Sequence, residues 1–243
     1  MQRIKLSATE STNDYLKELM TLKRVSDFTV VIADTQTKGR GQVSATWESE
    51  PSKNLTFSVL KRHEALYLDN HFLLSMCVSC AVYEVLLSLG LPRLRVKWPN
   101  DILSGTSKIC GILIENSIAG QEIKTSVIGI GLNVNQILFS NQGKASSLKL
   151  LLGREVPLDD LLQNLLDTLQ RYLNDFNVST WHSILSQYEN ILFKKNTPAT
   201  FQEPNGPLFN GIIKGITKEG KLRLALEDDR IKEYGLKEIK LHY

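Results

Sequence analysis

Residues 96–115 constrain this chain more than any other stretch. Two apolar runs, 96–103 and 108–115, flank the tetrad Ser104-Gly105-Thr106-Ser107. Apolar runs on either side of a short Gly-containing turn predict a β-hairpin. The first run carries Trp98, Pro99, Asn100 and Asp101 in succession, so an aromatic plate sits beside an amide and a carboxylate. Lys108 opens the return run and precedes Gly111, where a backbone can come close to a ligand. One acid and two lysines, Lys97 and Lys108, on adjacent strands can hold a metal ion and an anionic reaction centre together. A hairpin with ordinary wet turns explains the same letters, and both readings stand at this point.

Upstream, residues 28–33 predict a buried strand running into a long polar loop, 34–47. Gly39 and Gly41 permit close backbone approach to an anion, and Arg40 between them offers a planar fork for phosphate or carboxylate. A lone Gly-Arg-Gly is common in surface loops; its weight comes from following a core strand. Before it, Ser11, Thr12 and Asn13 with Asp14 mark a helix start, backed by the stripe Tyr15, Leu16, Leu19 and Met20. Plain capping explains that start, and so does a polar ligand head held by its exposed N–H groups. In the strand predicted over 124–135, Gly129 and Gly131 share one face, bare enough for a flat ligand or for a packed neighbour.

The rest reads as scaffold. Strands are predicted at 4–8 and 54–60, helices at 69–89, 156–176 and 180–192, and a polar connection at 139–152. From residue 194 onward, short strands with turns at 204–206, 218–220 and 227–229 predict a small β-barrel. The boundary falls near Phe193, giving units 1–193 and 194–243. A net charge of +3 over 243 residues, with no Lys/Arg run as long as a basic patch, argues against a nucleic-acid surface. No signal peptide is visible, and no apolar run approaches the ~20 residues of a membrane span. Three cysteines cannot all pair, which suits a reducing cytoplasm. Cys77 and Cys80 lie inside a buried-helix pattern without a second ligand pair, so metal binding is not expected there.

In register, several of these pieces resemble the motif series of the biotin–protein ligases. They are Ser11-Thr12-Asn13, Gln36 with Gly39-Arg40-Gly41 and Trp47, Asn54-Leu55, Lys97-Trp98-Pro99-Asn100-Asp101, Lys108-x-x-Gly111-Ile112-Leu113-x-Glu115, and Gly129-x-Gly131-x-Asn133. The resemblance spans most of residues 10–135, and the strand-rich tail is similar to that family's C-terminal SH3-like module. It implies an α+β fold, with a mixed sheet flanked by helices of the class II synthetase kind and a small C-terminal SH3-like β-barrel.

The resemblance also implies ATP-dependent ligation of biotin to a lysine of a biotin carboxyl carrier protein, through biotinyl-5′-AMP, with magnesium. Ser11, Thr12 and Gln36 would bond the biotin head, with Asn13 supporting that helix start. Gly39, Gly41 and Gln42 would belong to the biotin loop. Arg40 would meet the reacting carboxylate and phosphate, Lys108 would stabilise developing charge, and Gly111 would admit the biotin tail. Trp47, Asn100 and Asn133 would hold adenine and ribose, and Asp101 the metal, directly or through water. With ten residues ahead of Ser11, the expectation is a short form without a DNA-binding or membrane role; pairing as a homodimer is analogy alone.

Gln42, Ser44 and Ala45 depart from the family's basic, glycine-containing loop, and Ser52 replaces a usual Gly. Faster escape of the adenylate is therefore expected, unless Lys38 supplies the missing charge. The rival readings are a lipoate or octanoate transfer enzyme, with Cys110 as the thiol to examine, and a non-catalytic binder of small carboxylates.

Overall fold

The computed structural model describes every residue except 43, 44, 141–143 and 229. Seven strands form one mixed sheet. Strand β1 (Arg3–Leu6) lies parallel to β2 (Val30–Ala33), joined by helix α1 (Thr12–Leu22). The remaining neighbours are antiparallel: β3 (Leu55–Tyr67), β7 (Glu122–Leu132), β6 (Ser107–Ala119), β5 (Asp101–Ser104) and β4 (Leu94–Lys97), in that spatial order.

Side-chain alternation sorts the sheet's two faces. Val30, Ile32, Phe57, Val59, Ile128 and Ile130 join the large core beneath α2 (His71–Ser88), α4 (Leu158–Asn174) and α5 (Trp181–Asn190). A short helix, α3 (Leu148–Leu152), precedes α4. Val31, Leu60 and Val127 face the other way and meet Leu16 of α1. Helix α1 roofs only part of that second face. Beside and beneath its first turn the register places Ser58, Gly129, Gly131 and Gly111 side by side.

Helix α2 is apolar nearly all round, as a helix buried on every side must be. By length and composition the segment Leu68–Ser88 could cross a membrane, against the expectation that no run would. Two thirds of it is buried within the fold, against α4 and α5.

Residues 96–103 are not one strand. The chain turns at Trp98-Pro99-Asn100, so β4, β5 and β6 form a meander of two hairpins. Proline lacks the N–H that a continuous strand would need there. The tetrad 104–107 does close the β5–β6 hairpin. Beyond α5, β8 (Pro198–Gln202), β9 (Leu208–Ile216), β10 (Leu222–Ala225), β11 (Ile231–Tyr234) and β12 (Lys240–His242) form a five-stranded antiparallel sheet, consistent with an SH3-like module. Trp98 Nε1 donates to Gly220 O at 2.9 Å, so the turn between β4 and β5 braces this second sheet. Of the three expected tail turns, the last includes residue 229, outside the described residues.

Candidate functional site

Ser11 caps α1, its Oγ facing the N–H of Asp14, and so fixes where Thr12 and Asn13 stand. Gln36 Oε1 accepts from Thr12 N at 2.8 Å and from Thr12 Oγ1 at 3.1 Å. Ser58 Oγ, on the adjoining strand, lies 2.7 Å from Thr12 Oγ1 and 2.6 Å from Asn13 Oδ1. Ser11, Thr12, Asn13 and Gln36 line a cavity of about 270 Å³, with Ser58 buried behind them, and its wall also includes Arg40, Gly41, Gln42, Trp47, Asn100, Asp101, Lys108 and Gly111. Thus Arg40 and Lys108, distant in sequence, converge on one space.

A β-bulge aims Lys108. Ile102 pairs with Cys110 and Leu103 with Lys108, which leaves Ile109 as an extra residue. Ile109 and Cys110 are both fully buried in the core, and Lys108 is thereby turned to the face that Gly111 occupies. Strict alternation would have sent Lys108 to the core side with Cys110. Lys108 Nζ bonds Asp101 Oδ1 at 2.6 Å and lies 5.6 Å from the Trp47 ring centroid. Cys110 is no nucleophile, because burial pushes its thiol well above the ordinary value.

The glycine floor is covered by neighbours. A Cβ on Gly131 would stand 2.3 Å from Trp47 Cε2, and one on Gly129 would stand 2.4 Å from Asn13 Oδ1. So the bare face predicted from Gly129 and Gly131 holds the Trp47 indole and the Asn13 amide, the packed-neighbour alternative. The flat aromatic surface over Gly131 belongs to the protein itself.

Two predicted residues stand outside this wall. Gly39 lies where the loop's ends touch: Trp47 N donates to Gly39 O at 2.9 Å, and a Cβ would collide with Trp47 O. Asn133 lines an adjoining cavity of about 420 Å³ on the other side of Trp47, with Lys144 and Gln136. Asn133 Nδ2 donates to Ser146 O, while its Oδ1 and Trp47 Nε1 are buried without a hydrogen-bond partner among the described residues. Asn100 lines the first cavity, but its Nδ2 is committed to Ile112 O across the hairpin. Ser44 lies outside the described residues.

Sequence reasoning gave Glu115, Asp14 and Lys17 no role in the site. Arg40 Nη2 bonds Asp14 Oδ1 at 2.6 Å and Glu115 Oε2 at 3.1 Å, and Lys17 bridges the same two acids. The spacing of Glu115, Leu113 and Gly111 on one face of β6 was the available signal.

The biotin/lipoate A/B protein ligase family matches residues 6–133, just over half of the chain. The chain belongs to that family. It is 30% identical over 210 residues to the bifunctional ligase/repressor BirA of Bacillus spizizenii, covering 85% of this chain and 64% of that protein. Against BirA of Escherichia coli it is 30% identical over 233 residues, 93% and 69%. The chain thus spans about two thirds of the length of these bifunctional relatives. In structure it is similar to the biotin protein ligase from Aquifex aeolicus solved with biotin and ATP, with a TM-score of 0.82 and 26% identity over 99% of this chain and 98% of that one.

Proposed function

We propose that the protein joins biotin to a lysine of a carrier protein in two steps. Biotin's carboxylate oxygen attacks the α-phosphorus of ATP and pyrophosphate leaves, giving biotinyl-5′-AMP. The lysine amine then attacks the acyl carbon, AMP leaves, and the amine's proton passes to solvent. The observation that carries this reading is the convergence of Arg40 and Lys108 on one cavity beside an aromatic plate.

Bringing a carboxylate up to a polyphosphate sets anion against anion, and fixed cations lower that barrier more than any other device available to a protein. Arg40 meets the carboxylate and phosphate from the loop side, and Lys108 neutralises charge from the strand side. Ser11, Thr12 and Gln36 in the wall offer donors and acceptors to biotin's ureido head, with Ser58 bracing Thr12 from behind. Trp47 Nε1 and Asn133 Oδ1, which have no partner among the described residues, belong to side chains lining the adjoining cavity, and a nucleobase with its sugar would offer them partners.

Among the described residues no three acidic, histidine or cysteine groups converge on one point. A magnesium ion that keeps its waters and takes its other ligands from phosphate needs only one or two carboxylates, and Asp101 in the wall suits that demand. Such an ion supplies charge neutralisation at the phosphates. Asp101, already paired with Lys108, would be the residue that holds the ion. The partner we propose is the carrier domain of a biotin-dependent carboxylase.

Exchange of radiolabelled pyrophosphate into ATP is the test. Exchange that requires biotin is expected; exchange supported by lipoate or octanoate instead, or none at all, rejects the assignment.

A further inference from the structure

Arg40 reaches the cavity on a loop, and a loop-borne cation places its charge accurately only if the surroundings hold it. Among the described residues, every side-chain hydrogen bond from Arg40 leaves from Nη2, to Asp14 and to both oxygens of Glu115. A guanidinium carries five N–H groups in one plane, so this grip fixes one corner and leaves the Nε and Nη1 donors outside it.

The two acids are not equivalent. Asp14 sits in the first turn of α1 with its side chain nearly half exposed, answering Lys17 three residues on. Glu115 stands on the central strand β6 with its side chain only 26% exposed. Its Oε2 also accepts from Asn13 Nδ2 at 2.7 Å, and its Oε1 from Lys17 Nζ at 2.9 Å. Burial opposes the charge on Glu115, but the hydrogen bonds from Lys17 and Asn13 and the charges of Lys17 and Arg40 outweigh it. Its carboxyl is held below the ordinary value and is ionised at neutral pH. Asn13 Oδ1 in turn contacts Ser58, which contacts Thr12, which bonds Gln36. A single carboxylate therefore joins Asn13, in the polar part of the wall, to the Arg40 cation.

We propose that Glu115 is a positioning residue: it sets Arg40 against the substrate's carboxylate and ties that setting, through Asn13, to the wall that receives the substrate's polar head. The inference rests on reading the cavity as the biotin site. A molecule that touches both Arg40 and the polar wall then finds their relative placement fixed by the protein before it binds.

The test compares binding of biotin with binding of its alcohol analogue, which lacks the carboxylate, by calorimetric titration of the full chain. The unmodified protein is expected to prefer biotin, and Arg40→Ala to erase that preference. Glu115→Gln keeps an acceptor for Asn13 but loses the charge that grips Arg40. It is expected to cut the preference about fivefold or more while affinity for the alcohol stays within about twofold. Lys17→Ala, which removes the other cation on the same carboxylate, is expected to leave the preference intact. Equal weakening of both ligands by Glu115→Gln, an unchanged preference, or the same loss in Lys17→Ala overturns the inference. An unmodified protein that binds neither molecule overturns the functional reading beneath it.

Discussion

Asp101, Lys108, Gly111 and Gly131 reach the cavity from β5, β6 and β7, whereas Gln36, Arg40, Gln42 and Trp47 reach it from the segment after β2. The first set is held by backbone ladders. Gly111 opposes both Asp101 and Gly131, and Lys108 is aimed by a bulge in the same ladder. The second set has only isolated backbone bridges, Gln36 with Thr9, Arg40 with Thr46 and Trp47 N with Gly39 O, and its side chains depend on individual contacts: Arg40 on two carboxylates, Gln36 on Thr12, and Trp47 on glycines. Ladder bonds cannot be lost singly, while side-chain grips can. The strand-borne half should therefore tolerate ligand exchange without moving, and the loop-borne half should be where binding is regulated.

Lys108→Ala gives the sharpest test of the strand-borne half. Removing one preorganised charge donor from a transition state costs on the order of a hundred- to a thousandfold in rate. Biotin-dependent pyrophosphate exchange should fall by that factor while the melting temperature barely changes, since the Lys108–Asp101 pair is partly solvated. A fall of less than tenfold would mean that Arg40 alone carries the charge and the halves are not partners.

Gly131→Ala probes the contact between the halves. The new methyl would overlap the indole of Trp47, and the loop must lift because the strand cannot. Losing an aromatic platform costs about 1 kcal/mol, so ATP affinity should drop several-fold to about tenfold in a titration, with biotin affinity less affected. Equal loss of both would show that lifting Trp47 disturbs Arg40 as well.

The same division separates what the sequence disclosed from what it hid. Motif order and strand parity placed Gly111, Gly129 and Gly131 correctly, because period-two alternation depends on local letters alone. The bulge at Ile109 and Cys110 was invisible: both are apolar, and nothing in a run of apolar residues marks where the register slips. Pro99 was read as part of a turn, yet its power to split residues 96–103 into two strands was missed. Glu115 stood in a recognised motif without a role. Its partners Asn13, Lys17 and Arg40 lie at least 75 positions away, and only the folded sheet brings them together.

Gln42→Arg addresses retention of the activated intermediate. Gln42 lines both the site and a larger cavity carrying Lys97, Lys144, Lys237 and Lys240. An arginine there adds a fork for phosphate but enters a cationic neighbourhood, so its benefit is limited. Adenylate release, followed by rapid quench, should slow a few-fold. An unchanged rate would mean that loop charge does not govern retention in this chain.

Ser52→Gly has the smallest expected effect, because two terms oppose each other. Ser52 holds φ at 57°, in the left-handed region, and anchors the segment after Trp47 through its N–H to Asp34 O at 2.9 Å. A non-glycine residue there costs about 1–2 kcal/mol, which glycine relieves. Glycine also gives the unfolded chain more freedom, returning about 0.4–1 kcal/mol of that gain. The net should be a stabilisation of about 0–1.6 kcal/mol, a rise of at most about 6 °C in melting temperature. A fall instead would mean that the serine hydroxyl holds the loop-borne half in a way the backbone alone does not, and would move that half toward the fixed character of the strands.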